Sequence, residues 1–293
     1  MRNIWKNRDW KPMLLEEIDK PFDSDKYIFE IKFDGIRAII FVSNENLTIQ
    51  SRNNKNITHL FPELQNIKKE IKDNVIFDGE IVIFDKNKVS FSKVQERLHI
   101  KNKNKILSLS KNSPAIFIVF DILYKNKDLT NLELLRRKKI LSKYQDNDYF
   151  VKTKFIEEKG VNFFKNIKKM KLEGMVAKLK EGKYYINKRT DNFIKIKNLK
   201  REEFLIGGYE YKKNDILSIS LGEYIENKFH FVGKVSINKN KQIYNKLLNS
   251  KKSKNYFFDY DQNITYIKPV LKCNIEYLER TKNNHLRHPI YKE

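Results

Sequence analysis

Residues 27–33 alternate strictly. Tyr27, Phe29, Ile31 and Phe33 fall on one side, Ile28, Glu30 and Lys32 on the other. A period of two predicts a strand. The strand ends on a lysine and runs into Asp34-Gly35-Ile36-Arg37. A lysine is a poor core residue, because a buried ammonium must be paired, and it is an odd surface end for an apolar strand. This segment constrains the fold more than any other: the strand end has to deliver an amine to something. The plainer reading is a hairpin, with Asp34-Gly35 as a tight turn into the apolar run at 36–42 and with Glu30 and Lys32 solvated.

Other strands repeat the device in order along the chain. Residues 75–84 are apolar apart from Asp78-Gly79-Glu80. Residues 116–123 carry Phe120-Asp121, and Leu172-Glu173-Gly174 leads into an apolar run at 175–179. Phe193-Ile194-Lys195-Ile196-Lys197 puts both lysines on one face. Each strand offers a polar or aromatic group where an apolar one is expected. One such motif is weak evidence; an ordered series is strong.

The series resembles the nucleotidyltransferase motifs of ATP-dependent DNA ligases, a superfamily shared with mRNA capping enzymes. Lys32-Phe33-Asp34-Gly35 matches the Lys-x-Asp-Gly nucleophile motif, followed by Ser51-Arg52, Asp78-Gly79-Glu80, the aromatic segment 117–123, Glu173-Gly174 and Lys195-Ile196-Lys197. The resemblance covers nearly the whole chain. It implies an α+β fold: a nucleotidyltransferase (adenylation) domain of antiparallel sheets and flanking helices, then an all-β OB-fold barrel. It also implies the reaction. An amine attacks the α-phosphorus of ATP to give a lysyl-AMP phosphoramidate. AMP passes to a 5′-phosphate at a nick, and the 3′-hydroxyl then displaces it.

Lys32 is the expected nucleophile. An unperturbed lysine has a pKa near 10.4, so only about one in a thousand is neutral near pH 7. Neighbouring cations disfavour the ammonium; Lys195 and Lys197 are expected to do this and to neutralise phosphates. The alternative for them is an ordinary pair of surface lysines. By resemblance, Glu173 is assigned to metal, Glu80 to ribose or metal, and Arg189 to nucleotide. Magnesium (or manganese) favours oxygen ligands, and one or two carboxylates plus phosphate oxygens suffice. Phe120 is assigned to adenine, where stacking gives ~1–3 kcal/mol per base; otherwise it is a core phenylalanine. Glu30 is placed at the adenine end through its backbone. Arg37 and Arg52 are placed on ribose and phosphate, where a guanidinium fork matches oxygen geometry.

Composition names the partner class. Lys and Arg number 60 against 37 Asp and Glu, a net charge of +23. That predicts attraction to polyanions; the ligase resemblance narrows the expected substrate to nicked duplex DNA. Cys273 is the only cysteine, so no disulfide forms within the chain; a reducing compartment and a small buried thiol are expected. His59, His99, His230, His285 and His288 show no zinc spacing. The N-terminus carries Arg2, Lys6, Arg8, Asp9 and Lys11 where a signal peptide needs an apolar stretch. No run approaches the ~18–20 apolar residues of a membrane span. A soluble monomer in the cytoplasm is expected, associated with the nucleoid in a bacterium.

Three stretches follow: a lead-in at 1–26, the adenylation domain at 27–199 and the barrel at 200–293. Helices are expected at 91–99, 132–144, 161–170 and 243–248. Residues 101–114, rich in lysine, asparagine and serine, are expected to be a mobile loop. Pro12-Met13-Leu14-Leu15 resembles the entry segment of end-joining ligases, with no room before Lys32 for the helical domain of larger ligases. The barrel and basic surface are then expected to grip the duplex.

Glu276-Tyr277-Leu278-Glu279-Arg280-Thr281 and Leu286-Arg287-His288-Pro289 resemble the end of the bacterial end-joining ligase domain. There a further basic motif follows and orients pyrophosphate; here Lys292 or Arg287 is expected to substitute. The same resemblance brings in the end-binding protein Ku as a partner. Two rivals remain. An RNA ligase or capping enzyme differs in using RNA or GTP. A non-catalytic nucleic-acid-binding module forms no protein-AMP adduct.

Overall fold

The computed structural model describes residues 10–43, 46–212, 215–237 and 241–292. The chain divides into two compact units after Lys197. The first unit holds two sheets. One runs β1 (Leu14–Glu17), β11 (Arg189–Lys197), β10 (Gly174–Leu179), β2 (Ser24–Lys32), β9 (Phe155–Glu158). The other runs β4 (Leu47–Ser51), β3 (Ile36–Val42), β5 (Val75–Asp85), β7 (Ala115–Lys125), β8 (Phe150–Lys152), with β6 (Lys88–Val89) against β5. The β1–β11 and β7–β8 pairs are parallel and the rest antiparallel.

The hairpin reading of residues 27–42 is overturned. β2 and β3 do not pair; they belong to different sheets. Gly35 lies at the crossing, where a Cβ would stand 2.2 Å from the carbonyl oxygen of Ile81. Only glycine lets the chain pass that close to β5. Because the two strands diverge, the residues at the end of β2 face the second sheet across a gap.

Apolar side chains from both sheets fill the space between them. Ile28, Val176 and Phe193 of the first meet Ile39, Phe41, Ile76 and Leu123 of the second. Behind the first sheet, Phe29, Met175, Ala177 and Ile196 bury the face of α4 (Gly160–Lys169) that carries Phe164 and Ile167. Behind the second lies the largest core, which takes in Val94 of α1 (Phe91–His99) and Ile106 of α2 (Lys103–Asn112). Helix α2 replaces the loop expected at 101–114. Asn102 caps it by accepting from the backbone N–H of Asn104 and Lys105. The asparagine counted as a loop signal is the helix start.

Helix α3 (Leu134–Leu141) buries Leu134, Arg137, Lys138 and Leu141, the stripe i, i+3, i+4, i+7. Two of those four positions are cations. Arg137 makes paired bonds of 2.8 and 2.9 Å to the buried Asp121, and Lys138 reaches Glu30.

The second unit is one curled sheet: β14 (Lys228–Ser236), β13 (Asp215–Ile225), β12 (Lys200–Lys212), β16 (Lys272–Tyr277), β19 (Ile290–Lys292). β15 (Thr265–Tyr266) joins β12, and β17 (Glu279–Arg280) pairs with β18 (Leu286–Arg287). The outer strands β14 and β19 lie close together, which brings the sheet toward closure. Ile206, Ile219, Leu221, Val232 and Ile275 fill it, with Leu247 of α5 (Lys241–Leu248). Cys273 is buried there, and burial pushes its thiol up to about 12. The whole is the α+β fold expected, a nucleotidyltransferase domain followed by an OB-fold.

Candidate active site

Directly opposed residues of an antiparallel pair point to the same face. On β10, Gly174 lies opposite both Lys32 of β2 and Lys197 of β11. Two residues on, Val176 lies opposite both Glu30 and Lys195. Glu17 of β1 continues that row beside Lys195. One sheet face thus presents Lys32, Lys195, Lys197, Glu30 and Glu17 in two adjacent rows. Gly174 permits it: a Cβ there would stand 2.2 Å from the carbonyl oxygen of Ile196.

The second sheet supplies the opposite wall. Arg37 lies opposite Glu80, and Ile39 opposite Asp78. The pairing of β5 with β7 then slips: Asp78 faces Asp121 while Gly79 faces Val119. Phe120 is the extra residue of that bulge, and a bulge re-aims a side chain. Its ring meets Lys178 Nζ 4.1 Å from the centroid and Arg37 Cζ at 5.4 Å. A pocket between the sheets is lined by Lys32, Arg37, Glu80, Phe120, Lys178 and Phe193, among others.

Inside it, Lys32 Nζ donates to Glu173 Oε1 at 2.6 Å. The group in contact with the expected nucleophile is therefore a carboxylate, whereas cations were expected. Lys195 and Lys197 are themselves held by Glu17, at 2.9 and 2.7 Å. Burial raises the Glu17 carboxyl, but the two lysines outweigh it and bring it below the usual range.

Glu80 shows the reverse balance. Desolvation dominates Lys32 and Arg37, and Glu173 and Asp78 add repulsion, so its carboxyl is pushed up to about 8. Its face on the pocket is partly open, which tempers that shift. Glu80 and Glu173 suit a divalent cation that also takes phosphate and water oxygens. Among the described residues, no cluster of three or more acidic, histidine or cysteine side chains forms a cage.

Several charges of the pocket wall are committed to buried partners. Arg37 grips the buried Asp78 at 3.1 and 2.7 Å, and Tyr184 OH donates to the same carboxylate at 2.7 Å. Burial disfavours the Arg37 charge, yet Asp78 more than restores it. Two of the three guanidinium nitrogens are thus taken. Glu30 is 1 % exposed and pairs with both Lys138 and Lys178. Burial works against its charge, and the two lysines still hold it below the usual carboxylate range. Burial brings the Lys178 ammonium down to about 8 despite Glu30.

Five predicted residues are not in the pocket lining: Glu173 reaches it through Lys32, Lys195 and Lys197 lie along the neighbouring sheet face, and Arg52 and Arg189 are outside it. Arg52 is exposed in the turn after β4, and Arg189 is exposed and donates to the Leu15 carbonyl. In the second unit, Arg287 pairs with Glu279 at 3.0 Å and Lys292 with Glu276 at 3.3 Å. Three residues escaped sequence reasoning: Glu17, Lys138 and Lys178. Lys178 carried a usable signal, a lysine in phase with Val176 in an apolar strand. That is the same oddity that singled out Lys32.

Known proteins match along the chain. Residues 12–197 fit the family model "ATP dependent DNA ligase domain", and residues 212–293 the "ATP dependent DNA ligase C terminal region". The SPbeta prophage-derived DNA ligase-like protein LigB of Bacillus subtilis (strain 168) is 30% identical over 296 residues, 96% of this chain and 97% of that protein. The multifunctional non-homologous end joining protein LigD of Mycolicibacterium smegmatis is 26% identical over 97% of this chain, which spans 38% of that longer protein. Among solved structures, mycobacterial DNA ligase D complexed with ATP and MES superposes with a TM-score of 0.61 at 22% identity, covering 96% of this chain and 93% of that one. A Lig E DNA ligase gives 0.66 at 15% identity, covering 97% and 98%. At these identities the two structures speak to the fold.

Proposed function

The chain belongs to the ATP-dependent DNA ligase family, and on that premise we propose that Lys32 is the residue adenylylated, in the unit that ends at Lys197. The observation that supports this is that Lys32 lines the pocket that Phe120, Glu80 and Lys178 also line. Phe120 gives adenine a flat face. Lys195 and Lys197 sit along the same sheet face, where a triphosphate leaving Lys32 would run.

The amine forms a bond to the α-phosphorus as the bond to the bridging oxygen breaks, and pyrophosphate leaves with the electron pair. An ammonium has no lone pair, so the ion pair with Glu173 must open and Lys32 must lose a proton first. Glu173 and Glu80 are the carboxylates that would hold magnesium together with phosphate oxygens, and the ion would supply positive charge to weaken the hold of Glu173 on Lys32 and to neutralise the pyrophosphate. Arg37 is an indirect participant: clamped by Asp78, it fixes the wall beneath Phe120.

The substrate we infer is nicked duplex DNA with a 5′-phosphate and a 3′-hydroxyl, gripped in part by the basic second unit. Similarity to LigD, a non-homologous end joining protein, supports a role in end joining; we infer Ku as a partner and the nucleoid as the place of action. No described helix is long and apolar enough to cross a membrane. Incubation with labelled ATP and magnesium yields a covalent protein-AMP adduct that Lys32→Ala abolishes. Equal adduct in that variant would move the nucleophile elsewhere.

A further inference from the structure

We propose that Glu17 is an intramolecular stand-in for phosphate: it occupies Lys195 and Lys197 until a phosphate displaces it, and so sets how tightly the sheet face beside the pocket holds anions. This rests on the reading of the two lysines as phosphate ligands. The geometry is specific. One carboxylate spends one oxygen on each lysine, Oε2 on Lys195 at 2.9 Å and Oε1 on Lys197 at 2.7 Å. All three side chains stay partly open, at 35%, 23% and 16% exposed, so the pairs can exchange with an incoming anion.

The register of β1 makes this possible. Its parallel pairing with β11 shifts between Leu15 and Glu16, from Leu15 beside Thr190 to Glu16 beside Ile194. The shift sets Glu17 beside Lys195, and Lys197 follows two residues on, on the same face. A purely structural role does not need the carboxylate. The backbone already ties β1 down, through Leu14 N to the Lys188 carbonyl at 2.8 Å and Ile18 N to the Lys195 carbonyl at 3.2 Å.

Charge explains the use. Without Glu17 the lysine pair is a doubly positive site; with it the site carries a single net charge. In a chain of net charge +23, an unblocked pair would retain any phosphate that reached it, pyrophosphate included. A carboxylate beside the lysines repels every bound phosphate as well as competing for the donors. Anions then bind long enough to react and still leave.

Titration calorimetry with inorganic pyrophosphate, in EDTA and at fixed ionic strength, tests this. Glu17→Gln should bind pyrophosphate about ten-fold tighter than the parent, the scale expected for releasing two partly exposed ion pairs. Adenosine, which carries no phosphate, should bind within about two-fold of the parent, a split that a distorted pocket would not give. Glu17→Ser, smaller and also uncharged, should shift pyrophosphate in the same direction. In a Lys195→Ala, Lys197→Ala background, Glu17→Gln should change nothing, as a coupled set requires. Unchanged or weaker pyrophosphate binding in both Glu17 variants, with Lys195→Ala still weakening it, overturns the role of Glu17 alone. If Lys195→Ala leaves pyrophosphate binding intact, the lysines are not phosphate ligands and both readings fall.

Discussion

The first unit contains two kinds of charge pair built from the same residue types. In the interior, Arg137 and Asp121 are 0% exposed, and Glu30, in the pocket wall, is shut in with Lys138 and Lys178. Along the open sheet face, Lys32 pairs with Glu173 and Glu17 with Lys195 and Lys197, and water reaches every lysine. Burial makes the difference. A desolvated pair cannot open without stranding a charge in low dielectric, so it serves as scaffold. A pair that water reaches opens cheaply and can trade one partner for a ligand. The site sets exchangeable charges along one open sheet face, beside a pocket whose walls include fixed ones.

The contrast predicts opposite profiles for stability and activity. Arg137→Leu should have the largest effect, a loss of ~3–5 kcal/mol in urea unfolding, because Asp121 is left buried and uncompensated. A loss under ~1 kcal/mol would erase the distinction. Glu173 is 9% exposed but its partner Lys32 is 23% exposed, so Glu173→Gln should cost ~1–2 kcal/mol of stability, yet slow adduct formation about 100-fold, equivalent to ~2.7 kcal/mol of barrier. Quench-flow with labelled ATP measures the second number and thermal unfolding the first. A Glu173→Gln protein that melts as early as Arg137→Leu would mean that the open pair is scaffold too.

Lys178 sharpens the boundary, since it touches both kinds. It pairs with buried Glu30 at 2.7 Å while its ammonium lies over Phe120 at 4.1 Å. Lys178→Met keeps the stem and removes the charge, and Lys138 remains to satisfy Glu30. Stability should fall by ~1–2 kcal/mol, short of a fully broken buried pair. AMP affinity should drop about three- to ten-fold, in line with a lost cation–ring contact. Isothermal titration with AMP reads this directly; unchanged affinity would confine Lys178 to the frame.

The exchangeable residues were the more legible in sequence. Lys32, Lys195 and Lys197 interrupt apolar strands and Glu173 immediately precedes one, so strand-period reading exposes them. The fixed frame was harder to see. Arg137 and Lys138 sit in a run of basic residues that reads as a solvated helix face; only the packing of α3 on β7 shows them buried. Glu17 depends on a register shift between strands far apart in the chain, which no local pattern encodes. The divergence of β2 from β3 was hidden for the same reason. Asp34-Gly35 signals a turn, but only the approach of β5 decides that the chain crosses between sheets.

Glu80 gives the smallest and most diagnostic effect, because it belongs to neither class. It faces the pocket, yet the cations near it are already engaged, Lys32 by Glu173 and Arg37 by Asp78. Burial therefore wins, and its carboxyl is pushed up toward about 8, tempered by its partial opening on the pocket, from the ordinary glutamate value near 4.3. Between about pH 5 and 8 the folded protein keeps a proton that the unfolded chain has lost. The folded state binds more protons there, so stability falls as pH rises through that window. Glu80→Gln removes this slope. Its melting temperature should match the parent near pH 5 and exceed it by roughly 2–4 °C near pH 8. A gap that is constant from pH 5 to 8 would show that Glu80 is already ionised in the folded protein, and that some partner near it remains free to exchange.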